Sequence, residues 1–371
     1  MPTREMGRRE RVLTAMRRQQ PDRVPKCADF TPAVYERYKA HVAAEKCLDL
    51  SDPAQAAQIP SPQEYFGMEV AGVGFAGPAE LPDFRPYYRE ELPPDTSFDE
   101  YGTAHIPGHF HHFTRYRFPL AWASSPADYE NYPWPDFTAA YRHQHLEADV
   151  ARLHAEDWFV TGGVGHIFEN AWQIRSMEKL FEDMVERPEM AAALLDRLTE
   201  DRAFMAGRCA EAGCDMLVCG DDVGMQDRMM MSPTMWREWF KPRWQYVWQV
   251  AKKANPDVLL WYHSDGYIEP IIPDLIEIGL QILNPVQPEC MDPVSIKKRF
   301  GDRLAFWGCV GTQTTMPFGT PDEVRATVKH LIETVGQGGG LLLAPTHVLE
   351  PDVPWENILA FFQAVSEYGR Y

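Results

Sequence analysis

The chain is poor in three things, and each shortage removes a class of protein. No stretch approaches the roughly 20 consecutive apolar residues needed to cross a bilayer, and the first residues lack the apolar core of a secretory leader. A soluble, cytoplasmic protein with no membrane partner is expected. Its seven cysteines, Cys27, Cys47, Cys209, Cys214, Cys219, Cys290 and Cys309, show neither the paired spacing of a zinc ribbon nor the density of a disulfide scaffold, so reduced thiols are expected. Positive charge is scarce as well. Against 54 Asp and Glu stand 36 Lys and Arg, a formal net charge of -18, which argues against nucleic acid as a partner because phosphates are bound by clustered cations. The densest basic run, within residues 1–23, is interleaved with Glu5 and Glu10 as on a solvated helix face.

What is present is a globular composition. Hydrophobic residues make up 45% and aromatics 12%, enough for a large buried core. From about residue 157 onward, short apolar runs alternate with longer amphipathic ones, the rhythm of parallel strands joined by crossover helices. Strands are predicted at 158–161, 215–219, 258–263, 281–286, 304–310 and 341–345, nearly all apolar, as in a sheet buried on both faces. Helices are predicted at 188–212, 233–254, 269–279, 293–300, 321–335 and 354–368. Ser232-Pro233, Asp292-Pro293 and Thr320-Pro321 supply an N-cap followed by proline at the first helical position. With a further strand at 23–29 and an eighth near 70–75, the count fits a single (β/α)8 TIM barrel spanning residues 1–371. Residues 76–137, rich in Pro, Tyr, Phe and His, break the rhythm. They are expected to form an aromatic-rich excursion over the barrel mouth, with a hairpin near 101–120.

Polar residues with chemical potential gather where the apolar strands end, and in a barrel those ends share one face. Asp221, Asp222 and Gln226 follow one strand, His263 and Asp265 the next, Asn284, Gln287 and Glu289 the next, then Cys309 with Gln313, and finally His347. His263 and Asp265, two apart at a strand terminus, would point the same way. With His347 they make two imidazoles and a carboxylate, a set suited to zinc or another divalent ion with an open position. Two other readings stand beside it: Asp265 capping a helix that begins near Tyr267 while His263 donates to a backbone carbonyl, or metal-free acid/base work.

Adjacent Asp221 and Asp222 would face opposite ways in extended backbone, so one of them enters the pocket. Asp222 and Glu289 are the candidates for acid/base duty, and Cys309 is either a pocket thiol or a small core hydrophobe. His166, after Gly162-Gly163-Val164-Gly165, matches no phosphate-binding fingerprint and is read as a pocket residue at a close-approach turn. His109, His111 and His112 lie in the excursion, where a surface lid is expected. Arg115 and Arg117, on one face of a strand, are candidates to hold a substrate carboxylate.

Several segments carry a family likeness. Arg8-Arg9-Glu10-Arg11-Val12-Leu13 leads into Pro21-Asp22-Arg23-Val24-Pro25, and Leu341-Leu342-Leu343-Ala344-Pro345 is followed by Pro354-Trp355-Glu356-Asn357-Ile358. In these the chain resembles the uroporphyrinogen decarboxylase-like superfamily, which includes zinc-dependent corrinoid methyltransferases. In that methyltransferase branch a His-x-Cys pair and a further Cys after a Leu-Ala-Pro-type segment hold the metal. Here the matching positions read His263-Ser264-Asp265 and Ala344-Pro345-Thr346-His347. The resemblance therefore implies a metal at this place with harder ligands.

The decarboxylase branch carries an Arg-Gln-Ala-Gly-Arg-type segment, where this chain has Asp29-Phe30-Thr31-Pro32. The expectation is thus a metal-dependent methyltransferase acting on a small molecule and a corrinoid on a partner protein, since no corrinoid-binding module is visible in the chain. The alternatives are a metal-free decarboxylase or a barrel that only binds a small ligand.

Overall fold

The computed structural model describes residues 4–108 and 115–371. Ten strands occur among them: β1 (Val70–Val73), β2 (Ser97–Phe98), β3 (Ala104–Ile106), β4 (Arg115–Arg117), β5 (Phe159–Gly165), β6 (Met216–Gly220), β7 (Leu259–His263), β8 (Ile282–Asn284), β9 (Ala305–Val310) and β10 (Leu341–Pro345). Seven of them form one parallel sheet in the order β1-β5-β6-β7-β8-β9-β10, with helices in the connections from β5 onward. Strands 9 and 10 of the chain are buried along their whole length, as continuous apolar runs require when both faces are covered. No helix among the described residues is long and apolar enough to cross a membrane.

The regular ladder holds seven strands rather than eight, because 23–29 pairs irregularly. Leu343 N donates to Pro25 O (2.9 Å) and Cys27 N to Leu343 O (3.1 Å), leaving isolated parallel bridges at Lys26–Leu343 and Phe30–Leu349 beside β10. Pro25 has no N–H to give to a ladder. On the β1 side the link is a side chain: the Glu69 carboxylate accepts from Lys26 N (3.0 Å).

The helix Arg8–Met16 seats Val12, Ala15 and Met16 against Phe159, Met216, Leu259, Ile282, Ala305 and Leu342, a core distinct from the larger one between sheet and outer helices. Phe159, Met216, Leu259, Ile282 and Ala305 open or nearly open their strands. The helix therefore plugs the N-terminal end of the sheet and leaves the C-terminal end for chemistry.

The cap-plus-proline starts form as expected. Ser232 accepts from Met235 N, Asp292 from Val294 N and Ser295 N, and Thr320 makes a reciprocal capping box with Glu323. The run expected at 233–254 is two helices, Pro233–Trp239 and Lys241–Ala254, broken at Phe240. Pro242, with no N–H, suits the first turn of the second.

Within the excursion, β2, β3 and β4 make a small antiparallel sheet. It is tied to the helix Phe168–Arg175: the buried Arg175 guanidinium donates to Leu120 O (2.7 Å) and Ala123 O (2.9 Å), and Thr103 Oγ1 to Gln173 O (3.1 Å). His109, His111 and His112 lie outside the described residues.

Candidate functional site

Register places the first elements of the site. Gly220 of β6 pairs with His263 of β7, and His263 with Asn284 of β8, so the three end in one row. Asn284 Nδ2 donates to Trp307 O (2.8 Å), which turns its Oδ1 to His263 Nδ1 (2.5 Å). The imidazole hydrogen is thereby held on Nδ1, and Nε2 faces Asp222 Oδ1 (3.4 Å) and Asp265 Oδ1 (4.0 Å).

The two aspartates come from neighbouring loops whose backbones touch. A Cβ on Gly224 would stand 2.5 Å from Asp265 O, and one on Gly266 (φ +78°) 2.6 Å from Gly224 C, so glycine is required at both. Asp265 N donates to Asp222 Oδ1 (2.7 Å), closing the pair. One ligand atom each from Asp222, His263 and Asp265 lies within 4.8 Å of the others. Asp265 Oδ1 is buried with no hydrogen-bond partner among the described residues. Burial pushes the Asp265 carboxyl above its ordinary range, with His263 opposing and Asp222 adding to the rise. His263 is pulled down by burial but raised on balance by Asp222 and Asp265.

A second group adjoins the first. His166 Nδ1 lies 2.9 Å from Glu169 Oε1 and 2.7 Å from Gly220 O, and Asp222 N donates to the same Glu169 oxygen (3.2 Å). Burial depresses His166, but the Glu169 carboxylate and the field of Asp221 outweigh it and raise the imidazole to about 9. Asp221 itself is fully buried. Its Oδ1 accepts from the N–H groups of Ile167 (2.9 Å), Phe168 (2.7 Å) and Glu169 (3.2 Å) at the start of Phe168–Arg175, and its Oδ2 from Trp244 Nε1 (2.9 Å). It is a helix cap supplied from a neighbouring strand.

Two cavities, of about 470 and 560 Å³, share Asp222, His347 and Val348 and so form one cleft at the C-terminal end of the sheet. Its walls carry Asp29, Glu169, Asp222, Asp265, Glu350 and Asp352 with three histidines, and none of the residues lining either cavity is Lys or Arg. Trp261, stacked on His263 with ring centroids 5.8 Å apart, and Trp307 form an aromatic side of the inner cavity. Tyr116 of β4 lines the outer cavity, packed edge-on against Trp172.

The expected residues divide. Asp222, His263, Asp265, Asn284, Gln287, Gln313, His166 and His347 all line the cleft. The tight group, however, is Asp222 with His263 and Asp265. Burial raises the Asp265 and Asp29 carboxyls, and His347, which lines both cavities, lies near enough to offset part of that rise, but it is not within the 4.8 Å group.

Arg115 and Arg117 share a face of β4 opposite to Tyr116, the cleft-facing residue, and Arg117 pairs with Glu90 (2.9 Å); neither lines the cleft. Glu289 also stands outside the lining. Its Oε1 accepts from Gln313 N (3.2 Å) and Thr314 Oγ1 (2.7 Å), so it braces the loop after β9. Gln226 supports that loop through Gln313, and Cys309 is a buried residue whose thiol burial pushes up to about 12. Asp221, as a cap, does not reach the cleft.

Sequence reasoning missed Glu169 and Asp29. Glu169 sits in the first turn of an ordinary amphipathic helix, and its three-residue spacing from His166 was the available signal. Asp29 follows the irregular edge segment.

Comparison with known proteins agrees with the fold. A methyltransferase from Methanosarcina mazei superposes over 98% of this chain and 99% of its own, with a TM-score of 0.67 at 22% identity. The chain is 28% identical over 209 residues to a methylcobamide:CoM methyltransferase, MtaA, of Methanosarcina barkeri, a match covering 56% of this chain and 58% of that protein. A uroporphyrinogen decarboxylase of Coxiella burnetii is 21% identical over 195 residues, half of each chain. The chain thus spans little more than half the length of these curated relatives. The uroporphyrinogen decarboxylase (URO-D) family model matches residues 121–368, well over half of the sequence, a range that contains β5 to β10, the Asp222–His263–Asp265 group and the His166–Glu169 pair described above. The chain belongs to the uroporphyrinogen decarboxylase family.

Proposed function

We propose that this chain is a metal-dependent methyltransferase that moves a methyl group between a small-molecule donor and a corrinoid carried by a separate protein. Asp222, His263 and Asp265 would hold the ion, zinc or another divalent metal. The observation that carries the reading is the meeting of Asp222 Oδ1, His263 Nε2 and Asp265 Oδ1 at the end of the sheet, with Asp265 Oδ1 buried and lacking a donor. Two anionic oxygens and an oriented imidazole nitrogen suit such a cation, and a buried acceptor without a donor is costly unless a cation satisfies it. When bound, the ion supplies Lewis acidity toward the heteroatom that carries the methyl group.

The chain's own residues do the rest. Asn284 holds the His263 tautomer, Glu169 orients the Asp222 backbone, and Trp261 and Trp307 wall the inner cavity against water. His347, outside the tight group, belongs to the substrate wall, and Tyr116 of β4 would contribute to the outer part of it. The methyltransferase relatives support the reading, and the corrinoid would be presented at the cleft by its own protein.

A metal-free decarboxylase of a carboxylated substrate fits less well, because that chemistry needs a cation to seat the carboxylate and neither Arg115 nor Arg117 lines the cleft. Metal analysis of the purified protein, followed by chelation and reconstitution, tests the proposal. Bound divalent metal and methyl transfer to cob(I)alamin that vanishes on chelation are expected. Full turnover by metal-free protein would falsify the mechanism.

A further inference from the structure

The His166–Glu169 pair lines the same cleft, yet metal binding by Asp222, His263 and Asp265 gives the His166 imidazole no task. Its geometry is that of a proton donor. His166 Nδ1 is committed to Glu169 Oε1 (2.9 Å) and Gly220 O (2.7 Å), so Nε2 is the nitrogen left for the cavity that the ring lines. Glu169 is fixed in turn by the N–H of Asp222 (3.2 Å), which couples the imidazole's position to the ligand group. Carboxylate, imidazole and free ring nitrogen in series are the arrangement that orients a general acid. Burial opposes protonation of the ring, but the Glu169 carboxylate 2.9 Å away outweighs it, and the imidazole holds its proton to about 9.

A proton donor beside a Lewis-acid site defines the leaving group. An alkoxide or phenoxide is too basic to depart unaided near neutral pH, whereas a thiolate leaves without protonation. The walls narrow the choice further, because their carboxylates and the lack of any lining Lys or Arg disfavour an anionic donor.

Resting on the methyltransferase reading, we infer that His166, positioned by Glu169, protonates the oxygen of an uncharged O-methyl donor, an alcohol or methyl ether, as its methyl group leaves. The O–CH3 bond breaks and its electron pair stays on oxygen, which takes the Nε2 proton. The methyl carbon accepts the electron pair of a reduced corrinoid, cob(I)alamin in the test below. His166 is left neutral and regains its proton from water.

The test uses zinc-loaded full-length protein, cob(I)alamin and a series of ring-substituted methyl phenyl ethers. His166→Gln should lower kcat/KM about 100-fold for the ether of the most basic phenol. The loss should shrink steadily as the departing phenol becomes more acidic, so the variant's dependence on leaving-group acidity is steeper than the wild type's. Glu169→Gln should fall between the two and carries the same test should His166→Gln fail to fold. A purely structural role would depress all ethers alike.

Independently of turnover, nitrogen-15 NMR of the metal-free protein at pH 7 should show protons on both His166 nitrogens, with reduced occupancy at Nε2 in Glu169→Gln. Identical slopes in wild type and variants, or a His166 lacking the Nε2 proton, overturn the inference and leave the methyltransferase reading standing. Wild-type protein that binds zinc but demethylates none of the ethers, while transferring methyl from a thioether, overturns the oxygen-donor inference alone. No transfer from any donor removes both.

Discussion

The two ends of the parallel sheet both bury charge, and they handle it in opposite ways. At the N-terminal end Arg11 is fully buried and paired: its guanidinium bonds Asp22 through Nε (2.7 Å) and Nη2 (2.9 Å), and Glu69 through Nη1 (3.2 Å). Glu69 then reaches Lys26 N, and Asp22 takes Met6 N (3.0 Å). Arg11, Asp22 and Glu69 thus each meet an opposite charge, and both carboxylates also accept a backbone N–H. At the C-terminal end, among the described residues, carboxylates outnumber imidazoles in the cleft lining, no Lys or Arg lines the cleft, and Asp265 Oδ1 is buried without a donor. Matched charge ties the edge segment to the curled seven-stranded sheet, whereas the unmatched charge at the other end is what the proposed cation would satisfy. A protein under selection for stability alone would satisfy both ends.

That contrast can be broken most forcefully from below. Arg11→Ala leaves the buried Glu69 carboxylate and the partly buried Asp22 carboxylate without their shared guanidinium and should cost about 3–5 kcal/mol in chemical denaturation, with loss of the Glu69 link between the edge segment and β1. If stability barely moves, the lower network does not hold the edge segment to the sheet. The next effect in size concerns the upper end. Asn284→Ala frees the His263 ring and should weaken divalent-metal affinity by about 10–100-fold in calorimetric titration, with little change in the melting temperature of the metal-free protein.

Smaller, and opposite in sign to the Arg11 result, is Asp265→Asn. Removing a buried charge that lacks a donor and stands beside Asp222 should stabilise the metal-free chain by about 0.5–1 kcal/mol while abolishing metal binding, as read by parallel melts with and without zinc. Equal destabilisation at both ends would erase the distinction between them.

The mildest test is a pH profile. His166 is raised in the folded state from about 6.5 to about 9, so its pairing with Glu169 contributes stability that is fully present below pH 6.5 and disappears as pH climbs through 9. The wild type should lose stability across that window relative to His166→Gln, measured by urea unfolding at each pH. The Glu169 partner is depressed in the fold, so its contribution is present above its ordinary carboxylate range and fades as the solution is acidified through it.

Much of this architecture was legible because it is local. The apolar runs at 304–310 and 341–345 became β9 and β10 almost residue for residue, since a strand buried on both faces leaves an uninterrupted hydrophobic signature. Thr320-Pro321 became a capping box for the same reason: cap, proline and Glu323 sit within one turn. The first strand failed as a regular element because Pro25 interrupts its donors. The metal group was read as His263, Asp265 and His347, and the structure gathers Asp222 with the first two instead.

The sequence by itself determined where strands end, and therefore which side chains would reach the C-terminal rim, because burial periodicity and turn chemistry are carried by neighbours in the chain. Its charge also argued against a polyanion partner. Only the tertiary structure decided the distances. The contact of Gly224 with Gly266 that sets Asp222 beside Asp265, the turning of Asp221 into a helix cap, and the coupling of Glu169 to His166 and Asp222 all depend on separate loops meeting in space. A one-dimensional pattern holds no record of which of two adjacent aspartates will find four N–H donors and which will find a cleft.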